Sequence, residues 1–134
     1  MRILAVDLGN VRTGIAISDP SGLICRPLAI VEQSDHETLA LHIATVAERE
    51  DVSTVLVGWP RSLSGRENEQ SANSERFARR LEELFEGSVV LWDERFTTKL
   101  ARRLPKEPGK ADDARAACYL LQSYLDAPRA TRKV

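Results

Sequence analysis

Two short apolar runs, Thr54–Val57 and Val89–Trp92, stand on either side of a segment with helical periodicity. Neither run alternates with polar residues, so each suits a strand covered on both faces. A helix between consecutive strands of one sheet imposes parallel pairing through a right-handed crossover. These two runs therefore set the architecture: a sheet with helices packed against it.

The N-terminal third adds an antiparallel part. Residues 2–7, 14–19 and 23–31 read as three strands. Gly9 and Gly14 bracket the first turn and Pro20-Ser21-Gly22 makes the second; connections this short imply a meander. Ser34-Asp35-His36-Glu37 carries a capping-box signature. The helix after it, about 36–49, places Leu39, Ile43, Val46 and Ala47 on one face. Gly58-Trp59-Pro60 stops the fourth strand, and residues 58–70 read as a loop. A helix at about 71–86 buries Phe77, Leu81, Leu84 and Phe85, with Gly87-Ser88 ending it. A short basic helix runs from Thr97 to about Leu104, and Pro105 to Gly109 breaks the pattern. The last helix, from about Asp112 to Leu125, has the stripe Ala114, Ala117, Cys118, Leu121 and Leu125. The expected fold is α/β, a five-stranded mixed sheet flanked by helices.

At 134 residues, 43% of them apolar, the chain has material for one core. Residues 1–126 form the expected domain and 127–134 a flexible basic C-terminal tail. No apolar run approaches the roughly 20 residues of a membrane helix, and the chain enters a strand pattern without a signal peptide. A cytoplasmic protein with no membrane contact is expected. Cys25 and Cys118 sit in apolar runs without metal-ligand spacing, which fits buried free thiols in a reducing compartment. With His36 and His42 as the histidines, a zinc site is not expected.

Net charge is −1, but its distribution is uneven. Residues 1–94 hold 9 Lys and Arg against 16 Asp and Glu, while residues 95–134 hold 10 against 4. A basic C-terminal third fits a chain that grips a polyanion with one face; a solvated helix face with a basic tail fits the counts equally well.

Three acids mark the ends of three elements. Asp7 closes the first strand, where an ionised side chain needs solvent, a cation or a hydrogen-bonding loop. Glu94 follows the fifth strand, and Asp113 opens the last helix. Ligands of doubly covered sheets gather at the carboxyl ends of strands. Carboxylates brought together there repel one another unless cations intervene, and oxygen ligands without a His/Cys cluster select hard cations such as Mg2+ or Mn2+. Asp93 and Glu94 point to opposite faces of an extended segment, so one serves the site and the other is free to pair with Arg95. Asp112 and Asp113 also suit a helix N-terminus as dipole partners, and Thr97 and Thr98 suit helix caps. Arg12 offers a donor fork beside Asp7. Arg61 and Arg66 fit solvated loop positions.

Four segments together resemble one known family. Asp7-Leu-Gly-Asn-Val-Arg-Thr-Gly-Ile-Ala-Ile-Ser-Asp19 looks like the opening motif of the YqgF (RuvX) family. Val57-Gly-Trp-Pro-Arg-Ser-Leu-Ser-Gly65 resembles its glycine–proline loop, and Trp92-Asp-Glu-Arg-Phe-Thr-Thr98 its Asp-Glu-Arg-x-Thr-Thr block. Asp113-Ala-Arg-Ala-Ala-Cys-Tyr-Leu-Leu-Gln-Ser-Tyr-Leu125 resembles its closing helix. Trp59 departs from the small aliphatic residue usual after that glycine, and the segment before Asp113 is short and broken by proline. The resemblance implies a ribonuclease-H-like fold similar to RuvC-type resolvases, with divalent metal held by carboxylates. It also implies a bacterial nuclease of pre-16S ribosomal RNA 5′-end processing, with Holliday-junction resolution as the other activity of the family. Carried over by position, the catalytic and metal-binding acids are Asp7, Glu94 and Asp113, the last because it stands three residues before Ala116-Ala117. Arg12, Arg95, Lys99 and Lys110 are the candidates for nucleic-acid contact. The expected partner is structured RNA or branched DNA, and junction cleavage would call for a homodimer. Two other classes stay open: one lobe of a sugar-kinase or actin-like ATPase, which needs two lobes to enclose ATP, and a non-catalytic nucleic-acid adaptor.

Overall fold

In the computed structural model, residues 1–9, 11–32, 35–60, 69–93 and 111–127 are described, residues 111–113 by backbone alone. The elements are β1 (Arg2–Asp7), β2 (Arg12–Ser18), β3 (Cys25–Glu32), α1 (His36–Arg49), β4 (Val52–Trp59), α2 (Glu69–Leu84), β5 (Ser88–Asp93) and α3 (Ala111–Asp126). The five strands form one sheet in the order β3-β2-β1-β4-β5. Pairing is antiparallel between β1 and β2 and between β2 and β3, and parallel between β1 and β4 and between β4 and β5. The meander and the crossovers thus meet at β1, the central strand.

Strand alternation divides the core in two. Leu4, Val6, Ile15, Ile17, Val55 and Val57 face α1 and α2, meeting Leu39, Ile43, Ala47, Phe77 and Leu81. Ala5, Ala16, Leu56, Val90 and Trp92 face α3, meeting Ala117, Leu120, Leu121 and Tyr124. Among the described residues two helices close one face and α3 the other, which is why β4 is buried at six of its eight positions. Side chains also tie the ends together. Ser18 Oγ accepts the Ile3 amide at 2.8 Å, and Arg2 pairs with Glu50 at 3.2 Å across the start of β1.

Several boundaries differ from the sequence reading. β2 begins at Arg12 rather than 14, because its first residues still pair with β3 as far as Arg12 opposite Glu32. β4 extends through Gly58 and Trp59, which pair with Trp92 and Asp93; glycine does not end a strand whose neighbour holds the backbone on that side. α1 is capped by Asp35, whose carboxylate accepts the Thr38 amide at 2.6 Å. Glu37 therefore does not complete a capping box and instead pairs with Arg80 of α2. Cys25 and Cys118 are free and half-buried rather than fully buried, packing at the border of the α3 core. The helix expected at Thr97–Leu104 and the tail from 128 lie outside the described residues.

The ionisation shifts here belong to local structure. Asp19 is held well below the usual carboxylate range by the Ser21 hydroxyl and by the amides of Ile24 and Leu23. Asp35 is lowered by the Thr38 amide it caps, and Glu37 by the Arg80 guanidinium.

Candidate functional site

The carboxyl ends of β1, β4 and β5 lie side by side. Val6 is level with Val57 and Val57 with Leu91. One residue further, Asp7 ends β1 beside Gly58, and Gly58 pairs with Trp92. On its other side Asp7 pairs with Gly14. Gly14 is thus the β2 neighbour of Asp7, and the β1–β4 register continued by one residue puts Gly58 on its other side. Asp7 itself is half-buried. It falls on the α3 face, two residues beyond Ala5 of the α3 core. An acid at the carboxyl end of a central strand stands where ligands of doubly covered sheets gather.

The turn after it is tight. A Cβ built on Gly9 would stand 2.2 Å from the Arg12 carbonyl oxygen. Backbone meets backbone there, so a side chain at position 9 is excluded sterically. The turn carries the chain into β2 with Thr13 fully buried and Arg12 exposed. Arg12, Gly14 and Ala16 alternate onto the α3 face, and Ala16 packs in the α3 core. Arg12 thus shares both the face and the end of the sheet with Asp7.

At β5, alternation sorts the acid that belongs to the strand. Val89 and Leu91 pack toward α1 and α2, whereas Val90 and Trp92 pack toward α3. Asp93 follows the first pair and so belongs to the face opposite Asp7. Trp92 joins the end of β5 to α3. Its indole Nε1 donates to Ser123 Oγ at 3.2 Å, and its ring meets Tyr124 edge-on with centroids 5.1 Å apart.

Asp7 and Arg12 are thus placed at one end of one face. Asp113 contributes backbone to the first turn of α3. Glu94, Arg95, Lys99 and Lys110 lie outside the described residues, as do Arg61, Arg66, Thr97 and Thr98. Among the described residues no three His, Cys, Asp or Glu side chains converge; Asp7 is the one acid of the expected trio whose side chain is among them. In sequence Gly14 borders a turn and Gly58 a strand end; the strand register is what brings Gly14 beside Asp7 and Gly58 level with the residue after Val6.

The family model described as "RuvX: Holliday junction resolvase" matches residues 1–127. A Geobacillus kaustophilus protein named "Putative pre-16S rRNA nuclease" is 38% identical over 140 aligned residues, covering 96% of this chain and all of its own. Among solved structures, Thermus thermophilus RuvC in complex with a Holliday junction substrate superposes with a TM-score of 0.63 at 15% identity, covering 92% of each chain. That likeness identifies the fold as ribonuclease-H-like, as RuvC-type resolvases have. A ROK hexokinase from Thermus thermophilus superposes with a TM-score of 0.52 at 25% identity, covering 77% of this chain but only 38% of the kinase.

Proposed function

The chain belongs to the RuvX family, and from that premise we propose that it is a divalent-metal-dependent endonuclease that processes the 5′ end of pre-16S ribosomal RNA. The observation that carries the reading is Asp7 at the carboxyl end of the central strand, with a glycine on each side of it in the sheet. A carboxylate so placed offers hard oxygen donors, which fits Mg2+ or Mn2+ and does not suit a soft metal. Asp7, Glu94 and Asp113 would hold the ion or ions. The alternation that takes Asp93 to the opposite face favours Glu94 as the acid serving Asp7. Bound divalent cations supply Lewis-acid stabilisation of the reacting phosphodiester.

The chain's own groups bind and orient. Arg12 on the same face offers a bidentate fork to a phosphate beside the scissile one, and Arg95, Lys99 and Lys110 extend that grip along the strand of nucleic acid. No described helix is long and apolar enough to cross a membrane, and a cytoplasmic site of action accords with an RNA substrate.

Junction cleavage is the second reading, favoured by the family's description; paired cuts would then call for a homodimer. The ATPase-lobe alternative is disfavoured because the chain matches less than half of the kinase. One experiment covers these cases. Purified protein is given a pre-16S RNA precursor or a four-way DNA junction, with Mg2+, Mn2+ or a chelator. Wild type should cleave the RNA with either metal, and folded Asp7→Asn and Glu94→Gln should not. Wild-type rates in both variants would remove the metal-site assignment. Cleavage of the junction alone would move the substrate to DNA. Binding without cleavage by wild type under every condition would make the protein an adaptor.

A further inference from the structure

Away from the carboxyl ends of the strands, Cys25 opens the edge strand β3 and Cys118 lies midway along α3. Their Sγ atoms are 3.2 Å apart. Cys25 Sγ also lies 3.3 Å from the Cys118 carbonyl oxygen and 3.5 Å from Gln122 Oε1. Both residues are partly exposed, so a small reagent can reach them. They are the two cysteines of the chain, so neither has another intramolecular partner.

We propose that Cys25 and Cys118 form a reversible disulfide that staples α3 to the edge of the sheet. Closing 3.2 Å to the roughly 2.05 Å of a disulfide needs about 1 Å of movement, within reach of small side-chain rotations. Both residues border the α3 core, so a bond between them would cross-link β3 to α3 where the two already pack.

The reaction is an exchange with a small-molecule disulfide. The Cys25 thiolate attacks one sulfur of the reagent, forming a mixed disulfide and expelling the first thiolate. Cys118 gives up its proton to solvent and attacks Cys25 Sγ, forming the Cys25–Cys118 bond and expelling the second thiolate. The protein loses two electrons and two protons, and the reagent becomes two thiols. The order of attack follows from the hydrogen bond between the sulfurs, since Cys118 donates to Cys25. That bond holds the Cys25 thiol below its ordinary value and the Cys118 thiol above it.

The bond would join residues 93 positions apart, so it removes much freedom from the unfolded chain. A rise in melting temperature of about 10 °C is expected. Reduced protein is equilibrated with glutathione and glutathione disulfide, then alkylated with iodoacetamide and examined by intact mass and peptide mapping. The expected product is a monomer lighter by two hydrogens, refractory to alkylation, with peptides containing 25 and 118 cross-linked and the change reversed by dithiothreitol. Cys118→Ser should stop at the Cys25–glutathione mixed disulfide. Full alkylation of both cysteines in excess glutathione disulfide, glutathionylation of each without cross-linking, or disulfide formation only between two chains would overturn the proposal.

Discussion

Gly9→Ala tests the connection between a turn and the acid two residues before it. The new methyl carbon would lie 2.2 Å from the Arg12 carbonyl oxygen, where ordinary contact begins near 3.4 Å. About 1.2 Å must therefore be found, and the obstacle is backbone, which cannot swing aside as a side chain can. Overpacking of this kind costs about 1–3 kcal/mol, a fall in melting temperature of about 4–15 °C for a chain of this size. The turn can recover the distance only by moving residues that flank Asp7 and Arg12. Misplacing a catalytic group by about 1 Å is worth on the order of 10²-fold in rate. Thermal melts and RNA cleavage at saturating Mg2+ read the two effects separately. Gly22→Ala is the control: its φ of +74° makes alanine strained there too, but at the β2–β3 turn, so it should lower stability and leave cleavage per folded molecule unchanged. An unstrained Gly→Ala change normally stabilises by about 0.4–1 kcal/mol. A Gly9→Ala protein that melts at or above the wild-type temperature would therefore refute the close approach in the turn.

Other consequences are simpler to measure. Leu121→Ala removes a fully buried side chain from the α3 face and should cost about 2–5 kcal/mol in urea denaturation. Stability should fall in acid. Asp19, Asp35 and Glu37 are all held below their ordinary values in the folded chain, so the unfolded chain binds more protons. Their contribution is complete above the ordinary carboxylate values and is lost as pH drops through the lowered ones. Urea midpoints taken from pH 7 to pH 3 should show this, with a shallower decline in Asp35→Asn. Removing divalent metal with EDTA should abolish cleavage, and excess Mg2+ should restore it; persistent activity in chelator would contradict the proposed site.

What the sequence disclosed, and what it hid, follows from how local each signal was. The apolar runs at 54–57 and 89–92 and the helical stripes of α1 and α3 are patterns within single elements, and the sheet they implied is the one found. The strand ends were less legible because pairing with neighbours decides them. Gly58 and Trp59 look like a stop but are held by β5. The Ser34–Glu37 motif points to a capping box, yet Asp35 satisfies the Thr38 amide directly. Position along the chain revealed Asp7 as an acid at a strand end. The glycines on either side of it, and the nearness of Cys25 to Cys118, are consequences of register and docking across long separations. No local pattern encodes them.

The unequal covering of the sheet bears on how the molecule is made. Two helices emerge early enough to shield their side as soon as β5 is complete, but the opposite side waits for α3. Among the described residues it is α3 that covers Ala5, Leu56, Val90 and Trp92, an apolar surface that faces water until this helix docks. Nascent chains interrupted before α3 should consequently be held by chaperones or degraded, since the side chains this helix shields stay open to other chains.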